Sequence, residues 1–395
     1  MRKVLLMLVA AGCLGLIVGC GDGEDGGDAG GGGGASTETK KVTIGWTPPD
    51  ITGVFKTATD YFERAAKDAE PAGFDIEIVS RSPATHTAFA DQLAIIEDFI
   101  SRQVDVIAVS PADTEAVKPA IKRANDAGIP VIMVNLLEPQ KDIEVASYIG
   151  FDNTEAAKVS AYAVLDHFGG PGVLGSGEKV DVKPDDYLDL EWWEKTYADA
   201  DKNAIEAKGA VIEGIAGTFF SQARLDGFNS VIEQYPGVET LGNPIPADWN
   251  REKGVKATET FLSRFDAADM NFIWAASNEM GLGAIQALGQ RNVLNSDGGG
   301  KEPAAGKVSV FTNDVTPEST DAIREGKLIA ETHHGFPEWG WFGTKVAVQL
   351  ACGEQAEKTI DIRPRTVYEG NADQFYPQPE LPETDWEAIK QDCKE

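Results

Sequence analysis

Two hydropathy patterns alternate along the chain. Short runs rich in Val and Ile, at residues 42–46, 75–79, 104–109 and 130–134, predict buried strands. Between them lie stretches whose apolar residues recur at helical spacing. Residues 55–69 place Phe55, Ala58, Phe62, Ala65, Ala66 and Ala69 on one face, and residues 89–100 do the same with Leu93, Ile96 and Phe99 or Ile100. Residues 114–127 open on a capping Thr114 and stop at Gly128, which predicts a third helix. Strand and helix alternating at this spacing imply right-handed crossovers and a parallel sheet.

The alternation restarts after Gly150. Helices are predicted at 153–168, 220–234, 251–265, 280–288 and 318–326, and strands at 211–215, 271–275, 308–312 and 328–332. The expected fold is therefore α/β, with two doubly wound parallel-sheet lobes. Ligands of such sheets sit at the carboxyl ends of the strands, so two facing sheets make a cleft. Residues 176–208 interrupt the pattern with Trp192-Trp193 at their centre, and 188–207 reads as an inserted helix.

The amino terminus is different in kind. Arg2 and Lys3 precede an uncharged apolar run at 4–18, too short to span a bilayer comfortably and laid out as a secretory signal. It ends in Ile17-Val18-Gly19-Cys20, which resembles the lipobox of bacterial lipoproteins. That resemblance implies cleavage of 1–19 and acylation of Cys20, whose chains would hold the protein on a membrane. The Gly- and acid-rich segment 20–40 reads as a flexible tether. The expected location is the bacterial cell envelope.

Composition narrows the function further. A formal net charge of -29, from 35 Lys+Arg against 64 Asp+Glu, argues against a nucleic-acid partner. With 42% hydrophobic residues the chain can fill a core. Of four cysteines, Cys352 and Cys393 lie beyond the signal and anchor, and an exported compartment permits them to pair or remain free thiols. Gly170-Pro171-Gly172-Val173-Leu174-Gly175 matches G-x-G-x-x-G but follows a helix end rather than a strand, so no cofactor is expected. His333-His334 lacks a spaced third ligand, so no metal is expected either.

Several fragments in order resemble the periplasmic sugar-binding proteins of the ribose-binding type. They are Val106 to Pro111 with Asp113, Asn125-Asp126-Ala127-Gly128-Ile129-Pro130-Val131, Ile149-Gly150-Phe151-Asp152-Asn153, Gly214-Ile215-Ala216-Gly217-Thr218 with Arg224 and Gly227-Phe228, and Ser277-Asn278-Glu279-Met280-Gly281-Leu282-Gly283-Ala284. The resemblance implies a type I binding-protein fold with three crossings in the hinge. One lobe would be 41–149 plus 335–362. The other would be 150–334 plus 363–395, carrying the insertion. It also implies a monomer, not an enzyme, that closes on a monosaccharide-like ligand and docks on the permease of an ABC importer. A sensor subunit that presents its ligand to a membrane receptor shares the trap and the cleft, and an anchored hydrolase is a more distant alternative.

A sugar offers hydroxyls at its edge and C–H groups on its faces, so its site needs planar polar side chains and aromatic plates. The resemblance points to Arg224, Asn278, Asp314, Trp249, Phe55 and Asn135 as ligand contacts. Trp46, Asp50 and His334 are further candidates, although Trp46 suits a strand core and Asp50 a helix cap. Three departures set ribose itself in doubt. Leu136 stands where the family often has an arginine, the first loop carries Pro48-Pro49, and the 176–208 insertion is extra.

Overall fold

The computed structural model describes residues 39–395 apart from 176, 184–185, 298–303, 378, 380 and 394–395. The expected signal, the Cys20 anchor and nearly all of the tether lie outside the described residues. No described helix is long and apolar enough to cross a membrane.

The first lobe is built from β1 (Lys40–Thr47), α1 (Gly53–Ala69), β2 (Phe74–Ser80), α2 (Phe89–Ser101), β3 (Val106–Val109), α3 (Lys118–Asp126), β4 (Val131–Val134) and β5 (Ser147–Gly150). The second follows with α4 (Asn153–His167), α5 (Leu190–Thr196), β6 (Ala207–Glu213), α6 (Phe219–Ile232), β7 (Val238–Thr240), β8 (Ile245–Pro246), α7 (Arg251–Arg264), β9 (Phe272–Ala275), α8 (Asn278–Gln290), β10 (Ser309–Asp314), α9 (Pro317–Arg324) and β11 (Ala330–His333). The chain then supplies α10 (Phe336–Ala351), β12 (Thr359–Asp361), β13 (Arg365–Tyr368) and α11 (Trp386–Asp392).

One sheet has the order β12-β5-β4-β3-β1-β2, and all its pairs are parallel. The other has the order β13-β11-β10-β9-β6-β7, with β8 beside β6, and only β13 runs antiparallel. The branched runs form central strands because the pleat sends alternate side chains to opposite faces, and both faces are covered. Val106 and Ala108 join Ile132 and Val134 beneath α1 and α10. Ile107 and Val109 join Val131 and Met133 beneath α2 and α3. In the second lobe Trp274 Nε1 donates to Ser160 Oγ on α4 at 2.8 Å, while an added Cβ on Gly281 of α8 would meet Ala275 and Thr312.

The lobes are joined where β5 leads into α4, β11 into α10 and β12 into β13. These crossings touch: Ile362 N donates to Gly150 O at 2.7 Å, and Ile362 lies against Gly335.

Four expectations need correction. The helix expected from Thr114 begins at Lys118, because Asp113 Oδ1 accepts from Glu115 N and Ala116 N and holds a turn there; Pro119 then occupies the first helical turn, where its missing N–H costs nothing. Among its described residues the insertion holds one helix, the short α5, and the chain turns after Thr196, with Asp201 Oδ1 accepting from Asn203 N at 3.0 Å; Ala207 already belongs to β6. The strand expected at 211–215 therefore lies earlier, over Ala207–Glu213. Finally, the tail is divided. Residues 365–368 pair with β11, but α11 packs on the first lobe: Trp386 and Ile389 are buried with Ala65, Ala69, Phe74 and Trp341, Trp386 Nε1 donates to Asp68 Oδ2 at 2.8 Å, and Cys393 is joined to Cys352 by a disulfide.

Candidate functional site

Between the lobes lies a cleft of about 610 Å³ open to solvent. Its walls come from the carboxyl ends of strands and the loops and helix starts that follow them. The first lobe contributes Asp50 from the β1–α1 loop, Phe55 from the first turn of α1, His86 from the β2–α2 loop and Asn135 just beyond β4. The second contributes Arg224 from α6, Trp249 ahead of α7, Asn278 and Glu279 at the start of α8, and Asp314 at the end of β10. Seven of the residues singled out in the sequence thus line one cavity: Phe55, Asn135, Arg224, Trp249, Asn278, Asp314 and Asp50.

Several of these positions are strained. Asn135, Trp249 and Asp314 have φ of 67°, 59° and 108°, a region that side chains with a Cβ rarely adopt. Such strain is held by surrounding packing and is common where a chain must aim a side chain into a site.

Arg224 and Asp314 form the polar floor. Both are nearly sealed from solvent, and Arg224 Nη1 is 3.3 Å from Asp314 Oδ1. The guanidinium also donates from Nε to Asn153 Oδ1 at 3.0 Å and from Nη1 to Ala276 O, and it lies 5.2 Å from the centre of the Trp249 ring. Asp314 Oδ2 accepts from Asn278 N at 3.2 Å, and His334 Nδ1 is 3.0 Å from Oδ1. Burial works to raise the Asp314 pKa, but the Arg224 charge, the His334 contact and the Asn278 amide outweigh it and hold the carboxyl below its usual range. Burial pushes His334 down to about 4, against the opposing pull of Asp314, so its ring is neutral at pH 7.

Asn278 donates through Nδ2 to Thr316 Oγ1 at 3.0 Å and leaves Oδ1 without a protein partner. Asn135 Oδ1, on the opposite lobe, is likewise buried and unpartnered, as is Ser277 Oγ. An unpartnered buried acceptor is costly, by roughly 1–3 kcal/mol, so these oxygens favour a molecule that brings donors.

Trp46 and His334 stand elsewhere. Trp46 belongs to a strand flanked on both sides in the sheet; its ring is fully buried 4.8 Å from that of Phe62, and Nε1 donates to Thr59 Oγ1 at 2.9 Å. His334 lies behind Asp314, stacked on Phe151 at 3.9 Å, and so backs the cleft without lining it.

Among the further lining residues, His86, Glu279 and Phe220 were not anticipated as ligand contacts. His86 has Nε2 at 2.7 Å from Asp50 Oδ2. Glu279 is gripped by Arg251 through two bonds of 2.9 and 3.1 Å, and its carboxylate reaches across to Gly53 of the first lobe. Phe220 of the second lobe is buried in the first-lobe cluster that contains Leu136 and Val109. Only the Asn278-Glu279 pairing in the sequence hinted at one of them.

The family described as periplasmic binding protein domain matches residues 44–355. Among curated relatives, the fructose import binding protein FruE of Bifidobacterium longum is 25% identical over 365 residues, covering 92% of this chain and 94% of that protein. The ribose import binding protein RbsB of Salmonella typhimurium is 27% identical over 303 residues, 76% of this chain and 82% of that protein. Among solved structures, an ABC transporter periplasmic solute binding protein from Actinobacillus succinogenes with bound D-allose superposes with a TM-score of 0.67 at 19% identity, covering 85% of this chain and 100% of the other. At that identity the likeness bears on the fold.

Proposed function

We infer the function from two facts: the chain belongs to the periplasmic binding protein family, and its interlobe cleft pairs aromatic plates with buried, unpartnered amide oxygens. The protein captures a neutral, monosaccharide-like ligand between its lobes, without chemistry on it, and presents the closed form to an ABC importer in the cell envelope. Its relatives named for fructose and ribose import support that assignment. Phe55 and Trp249 would stack on the sugar faces, while Asn135, Asn278, Asp314 and Arg224 would take its hydroxyls.

The observation that carries this reading is the pair Asn135 Oδ1 and Asn278 Oδ1, one from each lobe. Both can accept from hydroxyls of one bound molecule, which gives the lobes a reason to close. The charges of Arg224 and Asp314 are answered by each other, so the cleft favours an uncharged solute. Thermal shift across a panel of sugars, polyols and amino acids tests it. A binding sugar stabilises the protein by about 2.7 kcal/mol at a hundredfold excess over Kd. A shift with amino acids alone would overturn the sugar assignment.

Lipid attachment through Cys20 is part of the same proposal, on the strength of the lipobox-like Ile17-Val18-Gly19-Cys20. Cys20→Ser should move the protein from the membrane fraction to the soluble one. Retention on membranes would overturn the anchor.

A further inference from the structure

Among the described residues, the first lobe presents four polar side chains to the cleft: Asp50, Thr52, His86 and Asn135. Leu136, next to Asn135, is fully buried in the core and offers the ligand nothing. Among the described residues of this wall, His86 is thus the one basic side chain.

Its setting is constructed from both sides. Asp50 Oδ1 accepts from Thr52 N at 2.9 Å, which fixes the carboxylate at the head of α1. Its Oδ2 lies 2.7 Å from His86 Nε2. A carboxylate only accepts, so Nε2 carries the hydrogen, and in the neutral ring Nδ1 is then an acceptor. No described residue hydrogen-bonds to Nδ1. The ring stands beside Phe55, with centroids 5.7 Å apart. An oriented imidazole with a spare acceptor therefore borders the aromatic plate that would cover a sugar face.

We propose that His86, oriented by Asp50, is a specificity-determining ligand contact of the first lobe, accepting one ligand hydroxyl at the edge of the Phe55 plate. The inference rests on the sugar-capture reading above. It predicts that one particular hydroxyl is read by His86.

Calorimetric titration of the purified full chain with D-ribose, D-fructose and their monodeoxy derivatives tests it, using wild type, His86→Phe and His86→Gln. His86→Phe keeps a ring beside Phe55 and loses both nitrogens. It should weaken the tighter sugar by about tenfold to a hundredfold, with His86→Gln losing less. One monodeoxy sugar should bind wild type more weakly than its parent, yet bind His86→Phe as well as the parent does. Unchanged affinity in His86→Phe, or an unchanged penalty for every deoxy sugar, overturns the proposal. If the phenylalanine lowers the ligand-free Tm, the deoxy comparison in His86→Gln decides instead. Wild type that binds neither sugar but binds an amino acid overturns the sugar-capture reading, a result distinct from a silent His86.

Discussion

Arg224 and Asp314 allow a test in which stability, rather than ligand, reports on the cleft floor. Replacing Arg224 by Met keeps much of the stem's volume and removes the charge. Three contacts are lost, to Asp314, to Asn153 Oδ1 and to Ala276 O. Asp314 is left sealed from solvent with only the Asn278 amide and the neutral His334 ring nearby. Breaking one side of a buried pair costs about 3–5 kcal/mol, most of it the desolvation of the abandoned partner. Asp314→Asn should cost a similar amount for the mirror reason. In the double variant neither charge remains, so its loss should fall short of the sum by at least about 2 kcal/mol. The assay is urea unfolding of the four proteins at pH 7 and pH 4.5. In wild type the depressed Asp314 pKa contributes stability that is complete above 3.8 and disappears as pH falls through the lower folded value. In Arg224→Met burial acts with much less opposition and raises that pKa, so protonation relieves the penalty and the gap to wild type narrows at pH 4.5. Additive single effects, within about 0.5 kcal/mol, or a gap independent of pH, would refute the argument.

Other outcomes follow from contacts away from the floor. Gly214→Ala, outside the lining, puts a methyl group 2.0 Å from the Trp249 ring and must shift it, so it should weaken ligand binding; unchanged affinity in titration calorimetry would remove Trp249 from the site. Reducing the Cys352–Cys393 bond frees a loop of 41 residues, worth about 3–4 kcal/mol in the loop-entropy estimate, and should lower Tm; a melt insensitive to reductant would contradict this. Asp166 is buried, with its pKa raised to about 6 by desolvation despite bonds from Val173 N, Leu174 N and Tyr197 OH. A raised carboxyl pKa loses stability as pH climbs from 3.8 to about 6, so Asp166→Asn should gain about 2–3 kcal/mol relative to wild type between pH 4 and pH 7 by denaturation. A constant difference across that range would show that Asp166 does not titrate there.

The strands were legible because both faces of each sheet are covered, which leaves uninterrupted runs such as Val131–Val134. Helices with a sharp stop were legible for a similar reason: Gly128, at φ 74°, ends α3 where its lack of a side chain predicts. The cleft lining was legible where a short motif places a residue there, as at Asn278, and where a polar residue directly follows a strand, as at Asn135. His86 was not, because it is held by a partner 36 residues earlier that no local pattern connects to it. Trp46 stayed open between cleft and strand core because a strand reading does not say on which side of the sheet a ring will lie; this one lies in the core against Phe62. The tail misled because α11 follows a strand of the second lobe, while the packing of Trp386 and Ile389 and the Cys393 disulfide tie it to the first.

The return of that tail has a consequence for the integrity of the molecule. The chain leaves the first lobe after β12, contributes β13 to the other sheet, and comes back to be sealed to the end of α10 at Cys352. Residues 352–393 thus form a covalent ring threaded through both lobes. A protease cutting once within that ring makes a two-chain protein but releases no fragment, because the disulfide still holds both ends. The last hinge crossing, between β12 and β13, can therefore be nicked without being lost.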